Sequence, residues 1–223
     1  MILPPLLDKT EYSLTEQVFH TLRQAILTLQ LKPREHLIIG DVADHYSISR
    51  TPVREALIML EQEGWVISDG RRGAQVTAPS EADLLEVIEL QAILEAHVAK
   101  RAATLLTDQD IKALDALLKK SDQLLKRGDE DGRRMLSKEF HRRLADSVGN
   151  SRLTEQIRSY EEYIERVWPL VWRSGDAPPE ESSRQHWQIY QALKSRNAVE
   201  AEQLMFHHTV WYEKELSAAV KYL

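Results

Sequence analysis

The sequence predicts a mainly α-helical protein in two parts: a small N-terminal domain over residues 1–79 and a bundle of six helices over residues 80–223. Three observations lead there. Only 8 Gly and 8 Pro punctuate 223 residues, and the segments between them carry apolar side chains at helical spacing. The period changes once, near residues 65–77, where two short apolar runs flank Asp69-Gly70, a pair typical of hairpin turns. Pro79 then separates that hairpin from about 140 residues without a further strand pattern.

Each element has its own cue. Ser13 with Glu16 forms a capping-box pattern that opens the first helix. Val18, Leu22, Ile26 and Leu29 share its apolar face, and Pro33 is expected to stop it. A short second helix spans residues 41–46 with Val42, Ala43 and Tyr46 inward, and residues 47–49 make a turn. The third helix runs from Arg50 to Glu63, with Ser49 as N-cap, Pro52 in the first turn and Gly64 as the stop. Val53, Ala56, Leu57 and Leu60 are its buried stripe. Strands are expected at 65–68 and 74–77. Helix, short helix, turn, longer helix and hairpin together describe a winged helix-turn-helix, in which the second helix of the pair enters the DNA major groove. Beyond it, helices are expected at 81–104, 107–127, 131–148, 151–172, 179–195 and 197–220. Ser80 with Asp83 and Thr107 with Asp110 provide caps, while Gly128, Gly149-Asn150 and residues 175–179 provide breaks. Six such helices suit an all-α bundle with one interior.

Composition narrows the function. Apolar residues make up 43% and charged residues 29%, enough to bury a core. The net charge of −6 excludes a uniformly basic nucleic-acid coat. With no Cys, disulfide scaffolds, thiolate metal sites and thiol nucleophiles are excluded, and a cytoplasmic location is expected. No apolar run is long enough to span a membrane, and the opening MILPPLL lacks the basic start of a signal peptide.

The third helix carries the donors that DNA recognition needs. Arg50 and Arg54 are four apart and share the face opposite the apolar stripe. Each can grip a guanine edge or a phosphate. Ser49 and Thr51 can donate to phosphate at the helix start. Arg71 and Arg72 stand at the wing tip beside Gly73, where a bare backbone can approach DNA. Yet residues 1–79 hold 8 basic and 10 acidic side chains. Modest affinity per domain, steep salt dependence and two domains acting as a homodimer on double-stranded operator DNA are therefore expected.

The stretch SISRTPVREALIMLEQEGWVISDGRRGAQV resembles the DNA-binding domain of the GntR family of bacterial transcription regulators. The resemblance implies DNA contacts at Ser49, Arg50, Thr51, Arg54 and Gly73, with Arg71 and Arg72 helping at the wing. Members with an Arg at the start of the short helix use it on the DNA backbone. Gly40 stands there, so that contact is expected to be missing.

The all-helical second part resembles the FadR-type FCD effector domain, in its VanR-like branch with six helices. KEFHRRLADSVGNSRL, RQHWQIYQALKSRN and AEQLMFHHTVWY carry this match. It implies a divalent metal (zinc, nickel or manganese) held by His141, His186 and His208, His208 being preferred over His207. Ser137 stands where the family has an acidic ligand, so the site holds metal through three His plus water, or holds none. The resemblance further implies a small-molecule effector, such as a carboxylate, beside Gln91, Glu95, Ser137 and Arg166. Gln91 replaces the family's frequent Arg. Trp168, Trp172, Trp187, Tyr160, Tyr163 and Trp211 are pocket or core aromatics. The implied function is a ligand-responsive transcription regulator, a repressor in the more frequent case, binding a palindromic operator. The alternative is a metal-dependent hydrolase at the three-His site. That chemistry needs a general base, yet there is no HExxH, no suitably paired carboxylates and no Gly-rich phosphate loop.

Overall fold

The computed structural model describes residues 3–7, 11–70, 72–78, 80–165 and 179–220. Arg71, Pro79, Arg166, Trp168 and Trp172 lie outside the described residues. One compact unit takes the chain up to Ser80, and the other begins at Glu81.

The first unit runs α1 (Leu14–Leu27), β1 (His36–Ile38), α2 (Ile39–Tyr46), α3 (Arg50–Gln62), β2 (Val66–Ser68) and β3 (Gly73–Val76). The capping box forms as expected: the Ser13 hydroxyl accepts from the Glu16 N–H while the Glu16 carboxylate takes the Ser13 N–H at 2.7 Å. α1 ends before Pro33 is reached. Thr28 donates back to the Gln24 carbonyl and Leu31 to that of Ala25, and Leu29 turns at φ 57°. This closure takes Leu29 out of the helix and puts Leu31 into the core instead. Val18, Leu22 and Ile26 of α1 pack with Val42, Val53, Leu57, Leu60 and Trp65. Ser49 holds the N-cap position of α3 but makes no capping hydrogen bond.

The hairpin has a third strand that the sequence reading lacks. The order is β1-β3-β2, antiparallel throughout, with His36 opposite Gln75 and Ile38 opposite Gly73. A Cβ at Gly73 would stand 2.0 Å from the Leu37 carbonyl oxygen. Gly73 is thus demanded by the close approach of β1, a packing reason apart from any DNA contact.

The second unit holds α4 (Glu81–Leu105), α5 (Asp108–Arg127), α6 (Glu130–Ser147), α7 (Ser151–Glu165), α8 (Pro179–Lys194) and α9 (Ala198–Val220). Thr107 and Asp110 form a capping box on α5, and Gly128 closes that helix at φ 70°. α4 packs along α9, and Phe140, Leu144, Ile189, Leu193 and Met205 centre the shared core. Asp122 of α5 accepts from Ser183 at 2.6 Å and from the Trp187 indole at 2.9 Å, which ties α5 to α8. No helix among the described residues is long and apolar enough to cross a membrane.

Candidate DNA interface and three-histidine centre

On α3 the helical period separates two faces. Val53, Ala56, Leu57 and Leu60 are buried, while Arg50, Thr51 and Arg54 are exposed. Ser49 and Arg72 are exposed as well. The Arg50 guanidinium lies beside Gly40, its terminal nitrogen 3.6 Å from where a Cβ would stand. The start of α2 that lacks the family's Arg is therefore covered by one from α3. Exposed guanidinium groups on a helix packed from behind present their donors outward, as contacts to base edges or phosphates require.

In the second unit three imidazoles meet. His141 comes from α6, His186 from α8 and His208 from α9. The Nε2 atoms of His141 and His186 are 3.1 Å apart, and those of His208 and His141 are 3.3 Å apart. Donors on a tetrahedral metal with bonds of about 2.0–2.1 Å stand roughly 3.3 Å from one another. The residues present therefore fit a divalent metal.

The outer nitrogens fix which ring atom is free. Gln185 donates its amide to Glu181 at 2.8 Å, so its Oε1 faces His208 and accepts from Nδ1 at 2.7 Å. His208 thus keeps a lone pair on Nε2. His141 turns Nδ1 toward Glu95 Oε2 at 3.2 Å, an ion-pair approach whose angle falls short of a hydrogen bond. Glu95 also accepts from Gln91 at 2.9 Å and from Thr209 at 2.9 Å. Burial by itself would raise the Glu95 carboxyl, but His141 and these donors hold it at about 2. Burial opposes charge on His141 too, but Glu95 wins and raises it. His186 is pushed well below its ordinary value by burial and by His208 and His141. His208 falls to about 3 from burial and His141. Two neutral imidazoles beside one backed by a carboxylate make a ligand set of the kind metals select.

The comparisons with known proteins agree with this geometry. The gntR family of bacterial regulatory proteins matches residues 14–76, and the FCD domain matches residues 86–210. The chain belongs to the GntR family and carries an FCD domain. It is 27% identical over 91% of its length to the uncharacterised HTH-type transcriptional regulator YdhC of Bacillus subtilis, covering 90% of that protein. It is also 27% identical to the transcriptional repressor RspR of Escherichia coli, over 92% of this chain and 88% of that one. The Escherichia coli McbR/YncC structure shares the fold at a TM-score of 0.75 and 23% identity, over 95% of this chain and all of that one, 100%. The family and these relatives are transcription regulators, not enzymes.

In this GntR regulator the structure brings His141, His186, His208, Gln91 and Glu95 together. It buries His208 and leaves His207 exposed. Ser137 is half-buried one turn before His141, while Glu139 points away and pairs with Arg142 and Arg143. Sequence reasoning missed Gln185, Thr209 and Glu161. Gln185 and Thr209 are next to ligating or buried residues in sequence, and only the helical phase reveals them. Glu161 of α7 is raised to about 7 by burial and the charge of Glu95.

Proposed function

We propose that this chain is a cytoplasmic, ligand-responsive repressor that binds a palindromic operator as a homodimer. The N-terminal domain over residues 1–79 reads DNA, and residues 80–223 bind the effector and a partner subunit. Two recognition helices must reach major grooves about one helical turn apart, which a two-fold dimer provides. Arg50 and Arg54 read base edges or phosphates, Ser49 and Thr51 donate near the α3 start, and Arg71, Arg72 and Gly73 serve the wing. The name of the Escherichia coli relative, a repressor, supports the sign of regulation.

The observation that carries the effector half is the convergence of three Nε2 atoms at 3.1 and 3.3 Å. His141, His186 and His208 would hold zinc, nickel or manganese, with Ser137 leaving room where the family has an acid. Such a metal supplies a cationic anchor for a carboxylate effector. Glu95 orients His141, and Gln185 orients His208. Effector binding shifts the population between DNA-binding and released arrangements of the dimer.

Elemental analysis of the untagged chain, purified without chelator, tests the centre. About one metal per chain, lost in His141→Ala, is the expected result, and no metal would retire that half of the reading. An electrophoretic-shift titration of Arg50→Ala/Arg54→Ala tests the other half. Specific operator binding is expected to vanish with the fold intact, and unchanged affinity would overturn the recognition-helix assignment.

A further inference from the structure

The two sides of α4 differ sharply. Its inner side, with Leu84, Ile88, Ala92, Ala99 and Ala102, is buried, and the helix packs along α9. Its outer side holds Leu90 and Ile93 in the open, 46% and 52% exposed. Both belong to one seam. Glu86, Leu90, Ile93, His97 and Lys100 follow at steps of four, three, four and three, the spacing that keeps a stripe facing a second helix. All five are exposed. The apolar pair by itself does not identify what it meets; the charges around it do.

Along α4 the outward charge changes sign. Glu81, Asp83, Glu86 and Glu89 occupy its first half, and His97, Lys100 and Arg101 its second. The helix dipole does not explain this order. Its influence fades within the end turns, and Glu86, Glu89 and His97 stand farther in. Lys100 reaches Glu202 of α9 at 2.8 Å, whereas Glu86, Glu89, His97 and Arg101 make no ion pair among the described residues. A helix face that is acidic at one end, basic at the other and apolar between them is complementary to itself turned end over end.

We propose that this face pairs with a second copy of itself: two chains lay their α4 helices antiparallel across a two-fold axis, Leu90 of each against Ile93 of the other. Of the registers that keep seam on seam, this one alone stacks apolar on apolar. The same register brings Glu86 of each copy to His97 of the other, and the acidic start of each helix to the Lys100–Arg101 end of its mate. A parallel pairing would instead set the acidic halves on each other. The overlap takes in residues 81–102, about 33 Å of helix. Because the same patch serves both copies, the contact closes at two. The inference rests on the dimer reading above and gives it a surface, a register and a polarity; it needs neither the metal nor an effector.

The test is sedimentation velocity of the full-length chain over a concentration series without DNA, with circular dichroism on each variant. The unaltered chain is expected to sediment as a dimer. Ile93→Glu sets a carboxylate beside Leu90 twice per dimer and is expected to weaken self-association at least tenfold. His97→Glu is expected to do the same by facing Glu86. The double variant Glu86→Arg/His97→Glu restores opposite charges in the antiparallel register, so its dimer should return. Mixing the Glu86→Arg chain with a fluorescently labelled His97→Glu chain should give a mixed dimer in preference to either self-pair. If the double variant dissociates like His97→Glu, or the mixture forms no mixed dimer, the proposal is overturned. A dimer unmoved by Ile93→Glu and His97→Glu overturns this surface and leaves the dimer reading standing, whereas a chain that stays monomeric overturns both. Every substituted position is exposed. Should Ile93→Glu still fail to fold, His97→Glu and its rescue decide alone.

Discussion

Glu95 uses its two oxygens on different tasks. Oε1 accepts from Gln91, while Oε2 accepts from Thr209 and faces the His141 ring. A carboxylate behind a ligating imidazole raises its basicity and fixes its orientation. Glu95→Gln keeps the shape and loses the charge. Chelator competition is expected to show metal affinity about 10–100-fold weaker in that variant. The same residues set an acid response in the metal-free chain. His208 and His186 stay neutral in the fold at pH values where the unfolded chain protonates them. Below about pH 6.5, therefore, the unfolded state binds more protons, and stability falls by roughly 1 kcal/mol per pH unit for each. His141, raised in the fold, opposes this slope until the unfolded chain is protonated there too. Glu161, raised to about 7, takes up a proton in the fold over the same range and offsets about one of the two imidazoles. A net decline of roughly 1 kcal/mol per pH unit remains. Melting scans from pH 7 to 5 should show this decline, flattened in His208→Gln. These residues were unequally legible in the sequence. The three His stood in separate segments that only a family pattern could join, and Gln185 and Thr209 are revealed only by helical phase.

Strand β1 marks the limit of pattern reading for elements. It has three residues, one of them buried, too few to establish an alternation. Its existence is visible only through Gly73, whose missing side chain lets Leu37 approach. Gly73→Ala is expected to force β1 from β3 and destabilise the first unit by about 2 kcal/mol or more, measured by urea unfolding. DNA affinity should fall with it, because the wing loses its inner strand. The long helices were legible, since their caps and stops are local chemistry: Ser13 with Glu16, Thr107 with Asp110, and Gly128 each act where expected. The end of α1 was not. There the chain closes through Leu29 and Leu31 well before Pro33, because the core has room for Leu31.

For the whole molecule, charge works against DNA binding except at a few points. The chain carries −6 overall, and residues 1–79 hold 8 basic against 10 acidic side chains. In the proposed dimer, affinity then rests on the arginines proposed to touch DNA: Arg50, Arg54, Arg71 and Arg72 in each head. If all four engage phosphates in both heads, the slope of log affinity against log salt is about −7. Arg54→Ala should make that slope shallower by about 2 per dimer if Arg54 contacts phosphate. The slope should stay unchanged, with relaxed sequence preference, if Arg54 reads a base. Fluorescence anisotropy across a salt series separates the two. Finally, α4 begins only four residues, 77–80, after the last strand of the wing, and it also carries Gln91 and Glu95. Gln91 lies about 15 Å along the helix axis from Glu81. A helix is stiff in torsion, so within its own unit α4 is a driveshaft: a few degrees of roll imposed at Gln91 arrive at Glu81 as the same few degrees.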